Sequence, residues 1–324
     1  MKKLMNRPQD YVPQSLEGFA AAHEHLVTLN TSPLYLRRAS LVEGKVALIS
    51  GGGSGHEPAH VGFIGPGMLD AACPGEVFTS PVPQQIEEAI KATETGAGSL
   101  LIVKNYQGDV MNFEIGAESV ETPVATVIVN DDAAGEEPEY ARGLAGVLVV
   151  EKILGAAAEA GMHLEALKAL GDRLVRGISS LGIMLSSCTV PLAGKPTFVL
   201  KEDEIEFGVG IHGEHGHSKE PLANADHLIA GMMKLVFSKF IGNGNSRILL
   251  FVNGLGGTPE SELYIAYHTA RKLCEAHGFE VARSLVGNYV TSIDSAGCSI
   301  TVATLDDELL QYWDAAVSTA SLSW

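Results

Sequence analysis

Three clusters of residues in this sequence have types and spacings that could do chemistry. Ile49-Ser50-Gly51-Gly52-Gly53-Ser54-Gly55-His56-Glu57-Pro58 places four glycines and a histidine directly behind the apolar run 46–49. A strand that ends in glycines can bring bare backbone N–H groups against a ligand, and His56 adds one titratable side chain at the same rim. Lys104-Asn105-Tyr106-Gln107-Gly108-Asp109 follows the run 100–103. A carboxylate just outside the carboxyl end of a strand stands where α/β proteins hold ligands and can act as a base. Gly208-Val209-Gly210-Ile211-His212-Gly213-Glu214-His215-Gly216-His217 again sets histidine on a glycine-rich loop behind a strand.

Each cluster also has a plainer reading. The first contains neither Gly-x-x-x-x-Gly-Lys-Ser/Thr nor a completed Gly-x-Gly-x-x-Gly, so it is no standard nucleotide loop and could be a glycine-rich turn without a ligand. Asp109 taken alone suits a turn after Gly108. A site is favoured because Gly53, His56, Lys104 and Asp109 all fall just past strands expected to be neighbours in one sheet. Three histidines within six residues invite a metal, but His-x-x-His-x-His on a glycine loop pre-sets no ligand geometry, and this loop contains no His-Glu-x-x-His. A solvated loop is the alternative, and no metal site is expected.

The elements that must position these residues follow from periodicity. The branched, apolar runs 46–49, 100–103 and 124–129 read as buried parallel strands, and 83–95 as a helix starting at proline. Residues 140–160 and 163–174 carry helical spacing around a stop at Gly161. Residues 196–210 suggest two short strands around the acidic turn 201–204, and 223–240 a helix. The strand 247–252 runs into Asn253-Gly254-Leu255-Gly256-Gly257-Thr258-Pro259, where Thr258 could cap a helix with Pro259 in its first turn. Strands at 280–285 and 299–305 and a helix at 306–313 close the chain. The expected fold is two α/β domains with predominantly parallel or mixed sheets and glycine-rich loops at strand ends, residues 1–185 and 186–324.

With 324 residues, 46% of them hydrophobic and 19% charged, the chain can bury a full core. The formal charge of −17 argues against nucleic-acid or anionic-membrane partners. No apolar stretch reaches the ~20 residues that cross a bilayer, and the first ten residues form no signal-peptide core, so a cytoplasmic location is expected. Cys73, Cys188, Cys274 and Cys298 are widely spaced and read as reduced, packed thiols.

Residues 50–58, 72–80, 104–109, 207–214, 253–259, 261–264 and 313–324, in order along nearly the whole chain, resemble the substrate-binding subunit of dihydroxyacetone kinases. The resemblance implies covalent capture of dihydroxyacetone, or a similar short ketose, by His212 as a hemiaminal. Asp109 would be the base for the hydroxyl that accepts the phosphoryl group, and His56 would hydrogen-bond and polarise the substrate. The backbone of Gly53 and Lys104 would hold the remaining oxygens. No cofactor is implied in this chain; ADP rephosphorylated through the sugar phosphotransferase system, or ATP with magnesium, would be carried by a separate helical domain or partner subunit. A homodimer is expected. That family usually has proline where this chain has His215, which implies a relaxed loop that could admit a four-carbon ketose such as erythrulose. A ketone-sensing coactivator without kinase activity is the other class of reading.

Overall fold

The computed structural model describes residues 2–135, 137–242 and 246–324. The first part of the chain forms α1 (Tyr11–Ala22), β1 (Val27–Thr31), β2 (Leu34–Arg38), β3 (Ala47–Ser54) and β4 (Ala71–Val77). It continues through α2 (Pro83–Thr93), β5 (Ser99–Lys104), α3 (Gln107–Glu118) and β6 (Val124–Val129). The six strands make one mixed sheet in the order β1-β2-β4-β3-β5-β6, in which β4, β3, β5 and β6 run parallel. From β3 the chain crosses to β4 on one side, then returns to place β5 on the other. The carboxyl ends of β3 and β5 therefore flank a topological switch point, the position at which open α/β sheets bind ligands.

Alternation decides the faces. Ile49, Ala71, Cys73, Leu101 and Val103 pack with Ile86, Ala89, Ile90 and Phe113 of α2 and α3 in one apolar cluster. With a period of two, Lys104 belongs to the opposite face of β5 from Val103. Helix α2 starts at Pro83, and Gln85 closes its first turn by accepting from the Val82 N–H at 2.8 Å.

The remainder comprises α4 (Gly146–Glu159), α5 (Leu164–Arg176), β7 (Ile178–Ser186), β8 (Glu204–Val209), β9 (Ser218–Pro221) and α6 (Ala225–Lys239). It ends with β10 (Arg247–Gly254), α7 (Glu260–Ala276), β11 (Glu280–Gly287), β12 (Ala296–Thr304) and α8 (Asp307–Asp314). A second mixed sheet has the order β11-β10-β12-β7-β8-β9, and only its β10–β11 pair is parallel. Helices α6 and α7 cover it with Leu228, Ile229, Met232, Leu263 and Ala266 over Leu181, Leu250 and Ile300.

The expected α/β architecture is present, but the two compact units are not divided by one cut. One comprises residues 1–129, 150–173 and 311–324, the other 130–149 and 174–310. A boundary between residues 185 and 186 would fall inside β7, which pairs with β12 and β8 in the second sheet. Two local expectations also change. Residues 196–200 form no strand; the second strand of the pair is β9, beyond the loop. Thr258 does not cap α7: its hydroxyl exchanges hydrogen bonds with Gly297, donating at 2.8 Å and accepting at 2.7 Å. All four cysteines are free and buried. Burial pushes the Cys274 and Cys298 thiols up to about 12.

Candidate functional site

In the first unit the glycines behind residues 46–49 are not a loop: β3 continues through them to Ser54. A Cβ on Gly51 would lie 2.5 Å from the Cys73 carbonyl oxygen, and one on Gly53 2.6 Å from the Thr79 nitrogen, so these two glycines admit neighbouring backbone. Gly52, at φ +150°, differs: its Cβ would lie 2.6 Å from Lys104 Nζ and 3.5 Å from Asp109 Oδ2. The missing side chain makes room for a charged pair. The cavity beside these glycines is about 10 Å³, room for roughly one water-sized group.

Lys104 ends β5 and is buried. Its ammonium donates to the Gly51 carbonyl oxygen at 3.0 Å and to His60 Nε2 at 2.5 Å. His60 Nδ1 lies 2.6 Å from Glu151 Oε1 on α4. A carboxylate on one side and an ammonium on the other assign the neutral Nδ1–H tautomer. Burial, reinforced by Lys104, pushes the His60 pKa down against the pull of Glu151. Burial likewise lowers Lys104, opposed by the negative charges of Asp109 and Glu151.

Asp109 is buried in the first turn of α3, not in a turn before it. It stands at the N-terminal end of α3, on the side of the Gly52 gap that also holds the Lys104 ammonium. Its Oδ1 has no hydrogen-bond partner among the described residues. His56 is buried beyond the end of β3, its ring stacked on Phe78 with centroids 5.3 Å apart. Phe78 holds a left-handed backbone, φ 56°, a conformation that costs a non-glycine residue about 1–2 kcal/mol. Its N–H donates to the Ser54 carbonyl oxygen at 2.9 Å, which ties the segment after β4 to the end of β3.

In the second unit His212 lies on the connection between β8 and β9 and is half-buried. Its backbone N–H donates to Glu214 Oε2 at 2.7 Å, and Glu214 Oε1 meets Arg142 Nη1 at 3.3 Å. Arg142 also donates to Asp132 Oδ2 at 2.7 Å and to the Gly208 carbonyl oxygen at 2.8 Å. Gly210 has no side chain because Glu214 occupies its Cβ position. The loop beyond Glu214 is not relaxed: His215 stacks on Phe198 and pairs with Glu206 at 2.8 Å, and Gly216 N–H donates to the same carboxylate at 2.9 Å. Among the described residues no group of three or more His, Cys, Asp or Glu could hold a metal ion. Of the three histidines, His215 supports the loop itself through Phe198 and Glu206.

The structure thus brings Gly52, Lys104 and Asp109 together and adds His60 and Glu151, which sequence reasoning missed. It sets His212 on a separately braced loop whose supports, Arg142 and Asp132, were also missed. The glycine motif after β10 is structural: a Cβ on Gly254 would lie 2.2 Å from Asn288 Oδ1, and Asn253 bonds the backbone of Tyr289 and Val290.

Comparison with known proteins agrees over the whole length. Residues 17–321 match the Dak1 domain. The chain is 44% identical to the dihydroxyacetone-binding subunit DhaK of the PEP-dependent dihydroxyacetone kinase of Escherichia coli (strain K12), over all of this chain and 99% of that one. The co-activator of a dihydroxyacetone kinase operon, DhaQ, superimposes with a TM-score of 0.90 at 33% identity, covering 95% of this chain and 97% of that one. The native dihydroxyacetone kinase of C. freundii gives 0.87 at 33% identity, with 99% of this chain and 60% of that chain covered.

Proposed function

Because the chain belongs to the Dak1 domain family, we propose that it is the dihydroxyacetone-binding subunit of a dihydroxyacetone kinase, a phosphotransferase with an alcohol group as acceptor. The observation that carries this reading is a buried carboxylate, Asp109, set at the switch point of the first sheet beside the Lys104 ammonium, in a chain similar end to end to such subunits.

The chemistry divides into two steps. The unprotonated ring nitrogen of His212 bonds to the ketone carbon; the carbonyl oxygen takes up the proton that the other ring nitrogen gives up, and nothing is expelled. An ordinary histidine is largely uncharged at neutral pH, as this attack requires. Asp109 then accepts the proton of a terminal hydroxyl as that oxygen attacks phosphorus, with His56 and the Gly53 and Lys104 backbone orienting the substrate. The nucleotide resides on a helical partner subunit, either as ATP with magnesium or as ADP rephosphorylated through the phosphotransferase system; as the new P–O bond forms, the bond to the nucleotide breaks and ADP leaves. A polyol such as glycerol has no carbonyl and forms no adduct. The working form is a cytoplasmic homodimer; among the described residues no helix is long and apolar enough to cross a membrane.

Intact-protein mass spectrometry after incubation with dihydroxyacetone or erythrulose tests the capture step. A gain of one whole ketone that disappears in His212→Asn is expected, and the better adduct former identifies the substrate's chain length. No gain with any short ketose, together with no phosphate transfer from a nucleotide-carrying partner, would refute the reading.

The likeness to an operon co-activator supports a second reading, a ketone sensor. The TM-scores of 0.90 and 0.87 do not separate the two classes. Identity favours the kinase subunit, 44% against 33%. Asp109→Asn distinguishes them, since a sensor needs no base and keeps its ligand response.

A further inference from the structure

The first unit buries more ionisable groups than proton removal by Asp109 needs. Glu151 and His60 are 0% and 5% exposed, and Glu151 sits in a helix whose neighbours are Val147, Leu148, Val149, Val150, Ile153 and Leu154, all fully buried. A carboxylate kept in such surroundings must be partnered or protonated. Its partner is His60, and through the ring the chain of contacts reaches Lys104 and the Gly52 gap. The distances from the Gly52 Cβ position hold Lys104 Nζ and Asp109 Oδ2 within about 6 Å of each other, the range over which one charge favours its opposite.

We propose that Glu151 and His60 are positioning residues for the reaction: Glu151 fixes the Nδ1–H tautomer of His60, His60 Nε2 accepts from Lys104, and the ammonium so held stands as the cation beside the Asp109 base. This rests on Asp109 being the base of the proposed kinase reaction. Ser50 supports the ring, its hydroxyl 3.2 Å from His60 Nδ1 while it donates to the Ile102 carbonyl oxygen at 2.8 Å. The charged groups facing the relay are Glu151 from α4, Asp109 from α3 and Lys104 from β5; Glu57 and Cys73 line the small cavity beside His60. Burial drives the Cys73 thiol pKa up, so it adds no charge. Lys104 has three N–H groups, two of them committed to His60 and Gly51.

The sign of the effect follows. Glu151 and Asp109 are the two charges that hold the Lys104 proton against burial. Glu151→Gln removes one of them, so Lys104 gives up its proton at lower pH and the cation beside Asp109 is lost there. The alkaline limb of the kcat profile, along which the Lys104 ammonium loses its proton, should then move to lower pH, with kcat at pH 7 down roughly tenfold and KM for dihydroxyacetone changed less than about twofold. His60→Ala should act in the same direction, and His60→Gln, whose amide oxygen can accept from Lys104, should recover part of the loss.

Two measurements decide it. Transfer kinetics against pH, with the nucleotide-carrying partner present, should show the shifted limb in Glu151→Gln and His60→Ala; limbs that coincide with wild type in both folded variants overturn the proposal. Long-range 1H–15N spectra of the unmodified protein should show His60 as the neutral Nδ1–H tautomer from pH 6 to 8. An imidazolium or an Nε2–H ring in that interval overturns it even where a variant fails to fold. The spectra need neither ketose nor partner, so they judge the relay separately if wild-type protein transfers no phosphate and the kinase reading itself fails.

Discussion

The surroundings of Asp109 and of His212 are built on opposite principles. Asp109, Lys104, His60 and Glu151 are each no more than 5% exposed in one packed unit; His60 lies 2.6 Å from Glu151 and 2.5 Å from Lys104, and Asp109 shares the Gly52 gap with Lys104. His212 is half-buried on a loop and is held through its backbone, by a carboxylate that is itself only partly covered. The difference matches what each group has to do. A carboxylate base gains from a low dielectric and a fixed cation, because its protonation state must be set before the substrate arrives. A nucleophilic imidazole must stay uncharged and reachable, so a support that grips the main chain suits it.

The sharpest way to break this comparison is to remove each group alone. Asp109→Asn should reduce phosphoryl transfer by roughly 10²-fold or more while the ketone adduct still forms at wild-type extent. His212→Asn should abolish the adduct with Asp109 untouched. Mass spectrometry and transfer kinetics on the same two samples read both quantities. If Asp109→Asn also lost the adduct, the division of labour between the buried cluster and the loop would be wrong.

A smaller effect tests the loop's brace. Arg142→Met removes the donor shared by Glu214, Asp132 and the Gly208 carbonyl. It leaves Asp132, whose pKa burial already raises, without the cation that pulls it down. Adduct formation should fall about tenfold and stability by about 1–3 kcal/mol, the cost of a buried polar group left unsatisfied. Denaturant titration gives the second figure and the mass shift the first. Unchanged capture in a destabilised protein would mean that the brace serves the fold and not His212.

How much of this was legible in the sequence depended on burial. Runs 100–103, 124–129 and 247–252 read directly as β5, β6 and β10, and 223–240 as α6, because branched or periodic apolar residues admit few alternatives. β4 did not, since Ala71-Ala-Cys-Pro-Gly-Glu-Val77 looks like a turn. Pro74 is tolerated because β2 pairs with β4 only at Ala71 and Ala72, which leaves that edge without a ladder at the proline. α3 was also hidden: Met111 and Ile115 are exposed while Phe113 is buried, so no apolar stripe marks a face. Among site residues, Asp109 and His212 sat beside glycines that advertise a rim. His60 and Glu151 carried a fainter signal, the pair Glu151-Lys152 inside an otherwise apolar helix, where buried charges imply partners elsewhere in the fold.

Lys152 gives the last test, because it is the neighbour of Glu151 with no part in the proposed chemistry. Its ammonium donates to the Tyr312 carbonyl oxygen at 2.7 Å and lies 5.4 Å from the centre of the Trp324 ring, fastening residues near the carboxyl terminus. Burial, partly offset by Asp314, lowers its pKa to about 8 from the usual 10.5. Between those values the unfolded chain holds a proton that the folded one has released, so stability should rise with pH across roughly pH 8 to 10.5, not fall. Lys152→Met should flatten that slope in thermal denaturation measured across the interval, while the alkaline limb of phosphoryl transfer stays where wild type has it. A limb that moved with Lys152 as it does with Glu151 would mean that any buried charge on α4 tunes Asp109, and the specific chain through His60 would lose its support.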